Sequence, residues 1–146
     1  MSMKANVMIG DWMRHANGEC YQVRRIDGFS DGTINFACGS PHLWDYNNKF
    51  EPIPLTKEIL EENGFEKVIR KTVAGDYTVW EWRWSDDGSM DEDFQNYVGI
   101  WYDLSHNINL EIRLAMSDGG SLCIDYVHEL QQALRLYGID KEIIIK

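Results

Sequence analysis

Residues 108 to 114, INLEIRL, place Ile108, Leu110, Ile112 and Leu114 in strict alternation with Asn109, Glu111 and Arg113. A period of two puts one set on a buried face and the other in water, the signature of a half-buried strand. FEKVIRKT (65–72), DYTVWEWRW (76–84), YVGIWYDL (97–104) and SLCIDY (121–126) offer four further strands. Between them stand Ala74-Gly75, the acidic stretch from Ser85 to Asn96, Ser105-His106-Asn107, and Ser117 to Gly120. Together they predict a five-stranded antiparallel sheet.

The first third alternates less regularly and is cut more often. VMIGDWMRH, ECYQVRRID and TINFAC are separated by Asn17-Gly18 and Asp31-Gly32, both of which tolerate the positive φ of a tight hairpin turn. Ser40 to Lys49 reads as a loop, and FEPIPLT returns as an extended segment whose Pro52 and Pro54 restrict it to an edge or a strand end. Residues 5–55 thus predict a small SH3-like β-barrel or a bent β-meander.

Two segments switch to helical spacing. In TKEILEEN, Thr56 caps, Glu58 suits the positive end, Ile59 and Leu60 face inward, and Asn63-Gly64 stops the turn. Near the C-terminus Asp125 is the expected cap and Gly138 the stop; Val127, Leu130, Ala133, Leu134 and Tyr137 form the docking arc, with His128, Gln131, Gln132 and Arg135 toward solvent. IIIK at the end could add an edge strand. The composite is α+β: an N-terminal β unit over 1–55, then an α+β unit over 56–146 with a C-terminal covering helix, the two free to pack as one domain.

A chain of 146 residues with 44% apolar content, six Trp, seven Tyr and five Phe can bury a sizeable core without staples. No apolar run is long enough to cross a bilayer, and MSMKANVMIG lacks the basic-then-apolar order of a secretion signal, so the expectation is cytoplasmic. Cys20, Cys38 and Cys123 cannot all pair within one chain and read as buried free thiols. The formal charge of -10, from 14 Lys and Arg against 24 Asp and Glu, disfavours direct binding to nucleic acid or an anionic membrane.

HELQQ, from His128, approaches the zinc-protease pattern H-E-x-x-H, but Gln132 stands where the second imidazole is needed, and a neutral amide is a poor zinc ligand. His15, Cys20, Cys38 and His42 form a weak metal candidate of H-x4-C and C-x3-H spacing. Asp103, Ser105 and His106 hold triad residue types in one turn, too close in sequence to converge, so a structural turn is expected. The acidic loop with Asp86, Asp87, Asp91, Glu92 and Asp93 lacks the donor order of a calcium loop and is a candidate binding surface for a protein. Trp80, Trp82 and Trp84 share one strand face and read as core, with Glu81 and Arg83 turned to water. No phosphate-binding glycine loop and no nucleophile elbow occurs, and no cofactor is expected.

MKANVMIGDW (3–12), EPIPLTKEILEENGF (51–65) and YVHELQQALRLYGI (126–139) resemble the landmarks of a family of short prophage- and mobile-element-associated proteins of gut anaerobes. The resemblance implies that genomic context and assigns no catalytic residue; Lys71 to Leu104 falls outside it.

Three functions follow as expectations. The first is a non-enzymatic acidic module that binds a protein partner; the second is a DNA mimic that occupies a host nucleic-acid-binding protein, which requires carboxylates clustered on one elongated face. The third is a small metal-dependent hydrolase, which requires acids converging with His15, His106 or His128. An exposed sheet edge would also allow a homodimer.

Overall fold

The computed structural model describes residues 7–30, 33–40, 43–46, 49–85, 88, 95–115 and 120–145; for 27–30, 33–35, 38–40, 43, 44 and 46 only the backbone is described. The protein is α+β and divides into two compact units, Met1–Leu55 with Tyr126–Lys146, and Thr56–Asp125. No described helix is long and apolar enough to cross a membrane.

The first unit is a curled half-barrel. Strands β1 (Trp12–His15), β2 (Cys20–Ser30), β3 (Thr33–Ser40), β4 (Leu43–Tyr46) and β5 (Phe50–Pro52) lie in the order β4-β3-β2-β1-β5, all antiparallel. The 11-residue β2 is long enough to pair with β1 through Cys20–Gln22 and with β3 from Val23 onward, and the second pairing slips between Val23 and Arg25 and again between Ile26 and Gly28. Such irregularities bend a strand and increase its twist. Inside the curl, Val7, Met13, Val23, Phe36 and Phe50 form one buried cluster. The stretch expected to be a loop after Ser40 contains β4, whose four residues are too few for alternation to register. Pro52 sits on the edge strand, where a missing N–H costs no ladder bond.

The C-terminal helix α2 (Val127–Leu136) belongs to this unit and not, as expected, to the five-stranded sheet. It packs against β1, and its start is tied to the end of the β5 segment: Val127 N–H donates to the Ile53 carbonyl at 2.9 Å, and Pro54 bridges Tyr126. Chain exit and chain return therefore lie side by side. The cap is Tyr126, one residue beyond the expected Asp125, with its N–H answered by the Glu129 carboxylate at 3.1 Å. At the far end Gly138, at φ 73°, lets Ile139 N–H reach back to the Leu134 carbonyl. Residues 139–145 do not add a strand. Instead the buried Gln131 amide donates to the Lys141 carbonyl at 3.0 Å and accepts from Ile143 N–H at 2.7 Å, supplying from a side chain the pair of bonds a neighbouring strand would give.

The second unit opens with helix α1 (Lys57–Glu62), capped by the Thr56 hydroxyl, which accepts from Ile59 N–H at 3.3 Å. A five-stranded antiparallel sheet follows: β6 (Glu66–Thr72), β7 (Gly75–Trp84), β8 (Asn96–Tyr102), β9 (Ile108–Arg113) and β10 (Gly120–Ile124), in the order β10-β9-β8-β7-β6. One face carries Trp80, Val98, Ile100, Leu110, Ile112 and Ile124 and is buried together with Leu60 and Phe65. Burial of a side chain of this size stabilises by about 1.5–3 kcal/mol, which fixes the register, since a one-residue slip would turn the whole set outward.

Candidate functional site

The opposite face of that sheet holds the most developed site. Strand register places Arg83, Tyr97 and Arg113 in one row across β7, β8 and β9, and Glu81, Gly99 and Glu111 in the next. Tyr97 leans along its strand over Gly99, so closely that a Cβ there would lie 2.0 Å from the phenol oxygen. Only glycine leaves the ring that space, and a glycine inside a strand often marks such an approach. Arg83 and Arg113 each flank the ring with the guanidinium carbon 4.5 Å from its centroid. Burial, then the Glu81 and Glu111 carboxylates, push the Tyr97 phenol up to about 12, so it stays neutral at any physiological pH.

Glu81, expected in water, is 6% exposed. Arg70 donates to it through Nε at 2.8 Å and also through Nη2, and Arg83 Nε donates at 3.2 Å. The arginines that bind it lay their aliphatic stems beside the Glu81 carboxylate and shield it, which alternation alone could not foretell. The tryptophan row divides. Trp80 is buried, with its indole N–H donating to Glu61 at 3.3 Å, whereas Trp82 and Trp84 are half-buried and stacked at 4.2 Å.

Beside these rows a cavity of about 470 Å³ opens on the same face. Tyr77 and Val79 come from β7, Tyr97, Trp101 and Tyr102 from β8, Glu111 from β9, and Asp103 and Leu104 from the β8–β9 connection. That volume falls within the range of small-ligand and side-chain pockets. Two carboxylates and four aromatic residues line it; no Lys or Arg does among the described residues. The connection is rigid: Asp103 Oδ1 accepts from Ser105 N–H at 2.9 Å and Asn107 N–H at 3.0 Å, and His106 adopts φ 63°. These bonds, with Asn107 first, hold the Asp103 carboxyl below its ordinary range, so it is anionic. The Asp-Ser-His combination is thus a turn.

A second polar cluster lies inside the first unit. Asp11 is fully buried and accepts from Met8 N–H at 2.7 Å, Gln132 Nε2 at 2.8 Å and Arg135 Nη1 at 3.2 Å. Desolvation outweighs these donors and raises its pKa. His128, expected toward solvent, is 1% exposed, stacked on Tyr126 at 5.8 Å, and neither ring nitrogen has a hydrogen-bond partner among the described residues. Burial lowers its pKa, opposed by the nearby Asp11 charge, so the ring is neutral at pH 7. At 100° per residue the buried positions of α2 sweep an arc of about 220°. That width arises because β1 and the 139–145 tail cover different sides.

The metal candidate does not assemble among the described residues. His15 accepts from Asn17 N–H through Nδ1 at 3.0 Å and contacts Asp45 through Nε2 at 3.0 Å, which commits both nitrogens. Cys20 is half-buried and free, the Cys38 side chain and His42 lie outside the described residues, and among the described residues no group of three or more His, Cys, Asp or Glu is placed to hold an ion. Cys123 is exposed, contrary to the expectation of buried thiols, because it sits on the outer face of edge strand β10. Asp86, Asp87, Asp91, Glu92 and Asp93 lie outside the described residues.

Sequence reasoning missed Tyr77, Tyr97, Trp101 and Glu111. The available signal was YVGIW, where a mid-strand glycine separates two large aromatics that must share a face. The chain has no significant match among family models, curated proteins or solved structures.

Proposed function

We propose that this chain is a non-enzymatic, cytoplasmic module of mobile-element context that binds a protein partner through the outer face of its five-stranded sheet. The observation that carries the reading is the cavity walled by Tyr77, Trp101 and Leu104 on a rigid sheet, with fixed carboxylates at its side. Aromatic side chains on a rigid support give contact area at low entropic cost, the usual make-up of a binding hot spot. The overall charge of -10 supports a partner that is a protein and not a nucleic acid or an anionic membrane. A DNA mimic would need an unbroken row of carboxylates, whereas this face interleaves Glu81 and Glu111 with Arg70, Arg83 and Arg113. For the hydrolase reading, His15 meets the single acid Asp45 and His128 lies near Asp11, but no group of three or more ligating residues supports it among the described residues.

The test is affinity capture from a host lysate at low and high salt, with wild-type protein and a Tyr77→Ala/Leu104→Asp double variant run side by side. A protein retained by the wild type and lost from the variant is expected. Equal recovery by both would remove this face from the reading, and no specific protein at either salt would remove the module itself.

A further inference from the structure

Resting on that reading, the geometry points to the chemistry of the partner: we infer that the cavity receives a lysine or arginine side chain from the bound protein, held between the rings of Tyr77 and Trp101 and the Glu111 carboxylate. Aromatic π faces attract cations through their quadrupole, and the attraction grows when water is excluded. An anion such as a phosphate would meet Asp103 and Glu111 with no opposing Lys or Arg among the described lining residues. A purely apolar side chain would cover Glu111 without offering it a donor, which carries a desolvation penalty.

The neighbouring guanidiniums do not fill this role. Arg70 and Arg83 are committed to Glu81. Arg113 reaches Glu111 at 3.2 Å, but it is 50% exposed, and ion pairs of that kind contribute little, so an incoming cation can share the carboxylate.

The occupant belongs to a protein and is not a free small cation, because Leu104 stands fully exposed at the rim. A leucine there gains only when a larger surface covers it. The negative charge of the whole chain adds long-range steering toward a basic segment.

The intact, isotope-labelled protein is titrated with four blocked amino acids, N-acetyl-lysine, N-acetyl-arginine, N-acetyl-norleucine and N-acetyl-glutamate N-methylamides, up to tens of millimolar. The Trp101 indole and Gly99 amide resonances report occupancy. Saturable shifts with lysine or arginine are expected, about fivefold weaker binding by norleucine, and none by glutamate. Glu111→Gln, whose unchanged remaining spectrum shows that it folds, should weaken the cations about fivefold and bind norleucine no more weakly than the wild type does. Norleucine binding as tightly as lysine would overturn the cation inference while sparing the binding face. Silence of Trp101 and Gly99 toward all four probes would overturn both.

Discussion

Asp11 in the first unit is answered by side chains 121 and 124 positions away, Gln132 and Arg135. Glu81 in the second is answered by Arg70 and Arg83, which stand 11 and 2 positions away. Both carboxylates are almost free of water, and both accept guanidinium donors. They differ in how far the chain must travel before the charge is compensated. A local answer forms with the hairpin itself, whereas the distant one waits until the two ends of the chain have met, after loop-closure entropy has been overcome. The second unit is accordingly a contiguous meander, and the first is closed by a helix that returns 70 residues later, after Thr56–Asp125.

The largest effect should come from breaking the distant answer. Asp11→Ala removes the buried acceptor that Met8 N–H, Gln132 and the partly buried Arg135 guanidinium share, a loss of about 3 kcal/mol. Native-state hydrogen exchange should show lost protection in β1, β2 and α2. Equal loss in β7 to β9 would break the contrast between the two units.

Gly99→Ala tests the local arrangement. The new methyl must displace the Tyr97 ring from between Arg83 and Arg113, costing about 2 kcal/mol by overpacking. Adding Tyr97→Thr should recover much of that loss in a denaturant melt; no recovery would mean that the ring does not occupy the space above Gly99.

His128→Leu should stabilise the protein by about 1 kcal/mol, since it replaces two unsatisfied buried nitrogens with apolar atoms. A destabilised variant would show that the ring has a polar partner after all.

The smallest effect is a pH dependence. With a folded-state pKa below the ordinary 6.5, the unfolded chain takes up the His128 proton first, so this contribution is complete above pH 6.5 and shrinks as pH falls below it. Asp11 acts in the opposite sense. Its folded-state pKa lies above 3.8, so stability is regained as pH falls through that raised value. Chemical denaturation in small pH steps below neutrality should show an initial loss that His128→Leu removes. Identical curves for the two proteins would exclude the imidazole as its source.

Much of the second unit was legible because its information is local. Ile108, Leu110 and Ile112 declare their face by alternation, Thr56 and Gly64 declare the ends of α1, and antiparallel neighbours in sequence become neighbours in space. The cavity was legible only in part. YVGIW carried a trace of it, but the closeness of Tyr97 to Gly99 and the burial of Glu81 depend on side-chain directions that a two-state pattern does not encode.

The placement of α2 was not legible at all. Its apolar arc fits any complementary surface, so amphipathicity could say that the helix docks but not on which sheet. The same arc places His128 and Gln131 outward, and their neighbours turn them inward. Asp11 and β1 approach α2 on one side, and the 139–145 tail crosses Gln131 on another. The amino-acid order by itself determined both helices, the five strands of the second unit and the hairpins of the first, and which face of the five-stranded sheet is apolar, because those depend on residues a turn or a pleat apart, whereas the short β4 and the strandless 139–145 tail escaped it. Only the tertiary structure decided which sheet the returning helix covers, which polar groups lose water and where a cavity opens, because each depends on surfaces brought together from distant parts of the chain.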